Sequence, residues 1–376
     1  MAILNLEYYT QKDLYSDGDI EASEFIEVLE YGYYFKTNFK LKIHTSDALP
    51  SSGLDKIEYR LVPYIDGIEQ DEITGTLPIT DGVAYLNIPA RFKGQIFTQS
   101  YDNTGNKSDE VTPQAFVIDE MAPLVDVVNN STTTYTDAAG NPLYIEDTSV
   151  TVTITDMASG IKEIGYAQNS EKAAFARKNI IINNTGYNVG DDVGDGWIIS
   201  EMDVNLVTKI TKTFYYNSDD NDIMLTIDAA DRSGNKKEGI VNKKFTIDKT
   251  APIINVVFRE DDDTDVYYDA NRIADITVIE RNFDASRINA VIENTFGDIP
   301  GFTFTDVSNT EHTAVIDFDE GDYTFEMNGT DLGDHTAIVN YSGGNENLFY
   351  VDKTKPVISD NFIEFSNETT ENSFNY

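Results

Sequence analysis

Phe245-Thr246-Ile247-Asp248-Lys249-Thr250-Ala251-Pro252 runs directly into the largely apolar stretch Ile253 to Val256. The same signal stands at Phe116-Val117-Ile118-Asp119-Glu120-Met121-Ala122-Pro123 and at Phe349-Tyr350-Val351-Asp352-Lys353-Thr354-Lys355-Pro356. The shared pattern, F-x-[IV]-D-x-x-x-P, reads as a strand end, an acidic turn, a proline stop and a new strand. Proline cannot donate to a sheet ladder, so it marks where the chain leaves one sheet. A strand-stop-strand signal repeated at domain-sized intervals is a joint between repeats.

The joint aspartates fall at 119, 248 and 352, so successive joints stand 129 and 104 residues apart. Both are sandwich-domain lengths. The reading is three units, 1–119, 120–248 and 249–352, followed by 353–376 as the first strand of a further repeat or a tail. Within each unit the apolar residues alternate. Phe39, Leu41 and Ile43 interleave with Lys40, Lys42 and His44; Val150, Val152 and Ile154 with threonines; Ala274, Ile276 and Val278 with Asp275 and Thr277. Period two marks half-buried strands. Turn clusters punctuate them, as at Asp102-Asn103-Thr104-Gly105-Asn106 and Asp228-Ala229-Ala230-Asp231-Arg232-Ser233-Gly234-Asn235. The fold expected is all-β: tandem immunoglobulin-like antiparallel sandwiches, end to end. The stretch from about Ser170 to Gly196 departs from the repeat and reads as an insertion, a hairpin or long loop, with a short helical turn over Glu171 to Arg177.

Composition excludes several classes of function. The 376 residues carry 66 acidic and 27 basic side chains, a formal net charge of -39. So strong a negative field opposes binding to nucleic acid or an anionic membrane and keeps copies apart, so a monomer is expected. No window approaches the roughly 18 consecutive apolar residues of a membrane helix. Met1 to Asn5 has neither a basic region nor an apolar run, so no signal peptide is expected there. Cysteine is absent and only three histidines occur, which removes disulfides, thiolate zinc sites and cysteine nucleophiles. No G-x-S-x-G or phosphate-binding loop is present, and the expectation is that the chain is not an enzyme.

The joints and the Tyr267 to Asp284 region carry a resemblance. Asp248-Lys249-Thr250-Ala251-Pro252, Asp352 to Pro356, the Asp-x-x-Ser-Gly-Ile pattern at Asp156 to Ile161, and Tyr267-Tyr268-Asp269-Ala270-Asn271-Arg272 with Ile276 to Asp284 resemble tandem bacterial immunoglobulin-like repeats. The match is closest over 249–352 and most distant over 1–119. Asp331-Leu332-Gly333-Asp334 departs from the Gly-Asn ending of that family. The resemblance implies a stalk or adhesin segment of a larger secreted or cell-surface bacterial protein, with neighbouring repeats of the same chain as its first partners. It implies no single biochemical activity. The main expectation is therefore a non-catalytic spacer. The alternative is an adhesin segment that binds a host protein or glycan through the insertion, where Tyr187 and Trp197 sit among glycines and aspartates. A third is an accessory module of a secreted hydrolase.

One chemistry suits so acidic a chain. Calcium takes six to eight oxygen ligands, and an acidic joint gathers oxygens. Asp119 and Glu120, Asp248, and Asp352 are the candidate interdomain calcium ligands. Asp102 and Asp228, before the last strands, are expected near the same ends. The clusters Asp219 to Asp222 and Asp261 to Asp265 are further candidates. The competing reading is that the joint aspartates accept backbone N–H bonds in turns and the clusters are solvated loops.

Overall fold

A computed structural model describes residues 3–10, 26–29, 32–65, 68–111, 115–183, 186–203, 206–259, 266–343 and 347–357. The cluster Asp261 to Asp265 and most of the 353–376 tail lie outside these residues. The chain forms two compact units. One is Met1–Tyr135 with Asn141–Asp248; the other is Thr136–Gly140 with Lys249–Tyr376.

The period-two pattern becomes strands whose alternate residues are buried. Thr148–Thr155 hides Val150, Val152 and Ile154 completely and leaves Ser149, Thr151, Thr153 and Thr155 half-exposed. It pairs antiparallel with Leu124–Asn129 on one side and Leu206–Tyr216 on the other, and Ile198–Asp203 completes a four-stranded sheet. The facing sheet runs Tyr135–Thr136, Pro142–Tyr144, Phe245–Ile247, Asp220–Asp231, Ile161–Asn169, Phe175–Ile181. Between the two lies a single apolar core that includes Tyr166, Trp197, Phe214 and Phe245. Two mainly antiparallel sheets over one core, in this order, make an immunoglobulin-like sandwich.

The first sandwich repeats the plan around Leu41, Ile43, Ile57, Ile96 and Phe116. The third, in the other unit, does so around Ile254, Ile276, Phe318, Phe325 and Phe349. In each, the strand carrying the F-x-[IV] pattern pairs in parallel with a short early strand rich in aromatics. Phe116–Ile118 lies beside Gly32–Phe35, Phe245–Ile247 beside Pro142–Tyr144, and Leu348–Val351 beside Tyr267–Tyr268. The tyrosine doublets are therefore pairing elements: Tyr268 turns into its core and Tyr34 toward Leu206 of the next sandwich, while Tyr267 stacks on Tyr350 at 4.8 Å.

The insertion resolves into two parts. Phe175–Ile181 is a strand paired antiparallel with Ile161–Asn169, so the expected helical turn over Glu171 to Arg177 is absent. The ladder to an existing strand supplies backbone partners that a single isolated turn could not match. The loop after it returns to the body, burying Val193 and Trp197. Among the described residues the only helical segment is one 3-10 turn, Ala285–Arg287.

Candidate metal centre at the first joint

Three elements bring three carboxylates together within the first unit. Asp119 ends the last strand of the first sandwich. Asp156 opens the turn after Thr148–Thr155, and Asp231 ends Asp220–Asp231. Ligand oxygens from the three lie within 4.8 Å of one another, and all three residues are buried.

Local sequence explains each position. Asp119 Oδ1 accepts from Met121 N at 3.0 Å, the turn expected before a proline stop. Its Oδ2 accepts from Ser159 Oγ at 2.7 Å and, at 3.3 Å, from Ser159 N. Asp156 Oδ1 accepts from the Ser159 and Gly160 amides at 2.9 and 2.8 Å. Gly160 has φ +79°, and a Cβ there would stand 3.2 Å from the Val207 carbonyl oxygen, so the D-x-x-S-G turn requires its glycine. Asp231 caps its own turn, accepting from Asn235 N at 2.8 Å on Oδ1 and Asn235 Nδ2 at 2.7 Å on Oδ2.

The same turn occurs once per sandwich. Asp102 Oδ1 accepts from the Thr104 and Asn106 amides, and Asn106 Nδ2 reaches Oδ2 at 2.8 Å. Those bonds, the Asn106 amide group first, hold Asp102 well below the usual carboxylate range. Asp331 accepts from the Gly333 and His335 amides, with His335 Nδ1 at 2.9 Å from Oδ2. His335 thus stands where the other turns have asparagine. The left-handed position, Gly105 and Gly234 elsewhere, is Asp334 here, at φ +63°. Aspartate tolerates that region better than most residues, so the departure from Gly-Asn leaves the turn intact.

Asp231 differs from Asp102 in its surroundings. It is fully buried with two other carboxylates, and burial, opposed by Asn235 and reinforced by Asp156 and Asp119, pushes its carboxyl up to about 7. Burial and then the Asp119 charge push Asp156 up to about 6. Both groups bear the cost of crowding like charges away from water.

The contacts around the cluster join the first two sandwiches. Asn235 Nδ2 donates to the Asp119 carbonyl at 2.8 Å. Tyr34 and Val117 of the first sandwich pack on Leu206 of the second, all buried. The Lys93 ammonium pairs with Asp203, both largely shielded from water. Within the second sandwich, Arg232, beside Asp231 in the chain, donates to the Ile182 carbonyl at 2.7 Å.

The other expected site residues lie in different surroundings. Glu120 is exposed and outside the cluster. Asp352 is also exposed, and its Oδ1 accepts from Thr354 N at 3.0 Å in a turn. Asp248 is buried, with its amide donating to the Tyr144 carbonyl at 2.9 Å. Asp228 lies within a strand, where its carboxylate meets Arg177 and the Gly239 amide; the turn residue is Asp231. In the 219–222 cluster, Asp220 caps the Lys172 and Asn221 amides and Asp222 pairs with Lys244. Trp197, expected on a recognition loop, is 0 % exposed and packs edge-on against Tyr166 and Phe214. An indole sealed in the core offers no face to a ligand. Tyr187 is half-buried against the same core. Asp156 and Asp231 were legible only as turn residues; their D-x-x-S-G and D-x-x-G-N patterns were the available signal.

Similarity to solved structures is broad and low. A marsupial T cell receptor is 9% identical, with a TM-score of 0.30, and the match covers 78% of this chain and 93% of that one. The fibronectin(III)-like modules of CbhA from Clostridium thermocellum are 10% identical, with a TM-score of 0.19, covering 57% of this chain and 87% of that one. Escherichia coli alpha-2-macroglobulin activated by porcine elastase is 9% identical at a TM-score of 0.19, covering 94% of this chain and 31% of its own. No protein-family model matches the chain, and no curated protein matches it. The fold assignment rests on the strand order described above.

Proposed function

We propose that this chain is a non-catalytic spacer segment of a multidomain protein, built from bacterial immunoglobulin-like repeats and acting outside the cell. The observation that carries the reading is the joint between the first two sandwiches. A flexible linker would leave its polar groups in water. Here the joint residues are buried, hydrogen-bonded across the boundary and backed by an apolar contact and an ion pair. A joint that resists bending suits a segment whose task is to hold other domains at a distance. The pronounced negative charge suits a monomer that does not aggregate at high local density. Small-angle scattering tests the reading: a spacer gives an elongated particle, and a compact globule refutes it.

A second reading, ligand recognition, draws on the third sandwich rather than the middle insertion. Tyr267, 67 % exposed, stacks on Tyr350 beside the exposed Phe296, with Glu320 and Asp322 on the rim. Aromatic faces flanked by carboxylates suit a sugar or a cationic peptide. Tyr267→Ala with Phe296→Ala tests it on a glycan array and a panel of basic peptides. Unchanged binding sinks it.

A further inference from the structure

We propose that Asp119, Asp156 and Asp231, together with the side-chain oxygen of Asn235, bind one hard divalent cation, calcium, inside the joint between the first two sandwiches. The inference stands apart from the spacer reading and would hold for a segment of any shape.

Three observations converge. The donor set consists of oxygens from three carboxylates with no sulfur and no imidazole, the chemistry calcium selects. The spread admits calcium: calcium–oxygen bonds of 2.3–2.6 Å reach ligands up to about 4.6–5.2 Å apart, and these oxygens lie within 4.8 Å of one another. Magnesium dehydrates reluctantly and keeps several waters, which a buried set of protein oxygens does not supply.

The third observation is independent of the carboxylates. Asn235 is only 4 % exposed, and its Oδ1 is buried with no hydrogen-bond partner. The orientation of the amide is fixed, because Nδ2 donates both to Asp231 Oδ2 at 2.7 Å and to the Asp119 carbonyl at 2.8 Å. Two acceptors on that atom exclude the flipped amide. Oδ1 shares a carbon with Nδ2 and stands about 2.2 Å from it, so it lies within about 5 Å of the Asp231 carboxylate. A buried acceptor left without a donor costs free energy unless something positive meets it. Ser233 Oγ, in the same turn, is also buried without a partner.

The arrangement also explains why buried like charges persist at a joint. Asp119 belongs to the first sandwich, and Asp156, Asp231 and Asn235 to the second. A cation held by both would tie the two together through ionic contacts rather than through additional apolar area.

The test uses the full chain stripped with EDTA and titrated with CaCl2 at pH 7.5, by calorimetry and by thermal melting, with MgCl2 as a parallel arm. Asp156→Asn with Asp231→Asn removes two charges and retains acceptor oxygens. Asp156→Asn alone is the milder variant, since its oxygen can still take the Ser159 and Gly160 amides. Glu120→Gln is the control. The expected result is saturable calcium binding that raises the melting temperature by about 5 °C or more. Glu120→Gln should match the parent chain, Asp156→Asn should bind at least about tenfold more weakly, and the double variant should show no shift. Equal melting in CaCl2 and EDTA overturns the proposal. So does an equal response to magnesium, or calcium binding retained at full strength in the folded Asp156→Asn variant.

Discussion

Asp156→Asn offers a quantitative test of the electrostatics at the first joint. In the metal-free chain, burial and Asp119 raise the Asp156 carboxyl from 3.8 to about 6. The sign follows from linkage. Between those two values the folded chain holds a proton that the unfolded chain has released, so stability falls as pH rises from about 4 to about 6 and stays low above that. At 1.36 kcal/mol per tenfold, keeping Asp156 ionised in the fold costs roughly 3 kcal/mol at pH 8. Asparagine has nearly the shape of the protonated acid and its oxygen keeps the Ser159 and Gly160 amides, so the variant should avoid that cost. In EDTA at pH 8 it should be the more stable protein by up to roughly 3 kcal/mol, about 6–12 °C in melting temperature for a unit of this size. At pH 4.5 the advantage should shrink to about 1 kcal/mol. The assay is thermal melting by circular dichroism of both proteins at both pH values. A variant that melts below the parent by the same margin at pH 8 and pH 4.5 would show that Asp156 carries no electrostatic strain, and the reasoning would fail.

The remaining predictions concern the core and the joint. Trp197→Ala should destabilise the first unit by about 3–5 kcal/mol, because it empties the space bounded by Tyr166 and Phe214; as the only tryptophan, Trp197 should also resist acrylamide quenching in the folded chain, and ready quenching would contradict its burial. Lys93→Met should cost about 3–5 kcal/mol by leaving Asp203 buried without its cation, and adding Asp203→Leu should restore most of the loss; a neutral single variant, measured by urea unfolding, would show that the pair is solvated. Gly160→Ala should lower stability by at least about 1 kcal/mol, since a left-handed backbone and a 3.2 Å approach to the Val207 carbonyl act together; an unchanged denaturation midpoint would refute the turn geometry.

The cation proposal rests on atoms within one unit and is tested by an ion and a charge-neutralising change. The spacer reading extrapolates from one sealed joint, and scattering on the whole chain tests it without reference to calcium. The two experiments can therefore fail separately.

Local pattern determined much of this protein. Alternation of apolar and polar residues dictates strands because successive side chains point to opposite faces, so Val150, Val152 and Ile154 could be assigned to a core from sequence. Phe245 and Ile247 before an acidic turn and a proline likewise announced a core-closing strand, and both are buried. Tertiary structure decided everything that depends on which turns meet. Trp197 sits among glycines and aspartates, a loop by composition, yet the chain folds it beneath Phe214 because the second core needs its volume. Glu120 adjoins Asp119 in sequence but lies beyond the end of Phe116–Ile118 and is exposed. The partners Asp119 acquires, Asp156 and Asp231, stand 37 and 112 positions away, at 156 and 231. Sequence spacing fixes periodicity within a strand and the chemistry of a turn. It carries no information on distance between turns of different sheets, and it is there, where three turns converge out of water, that the aspartate of the joint becomes part of a site.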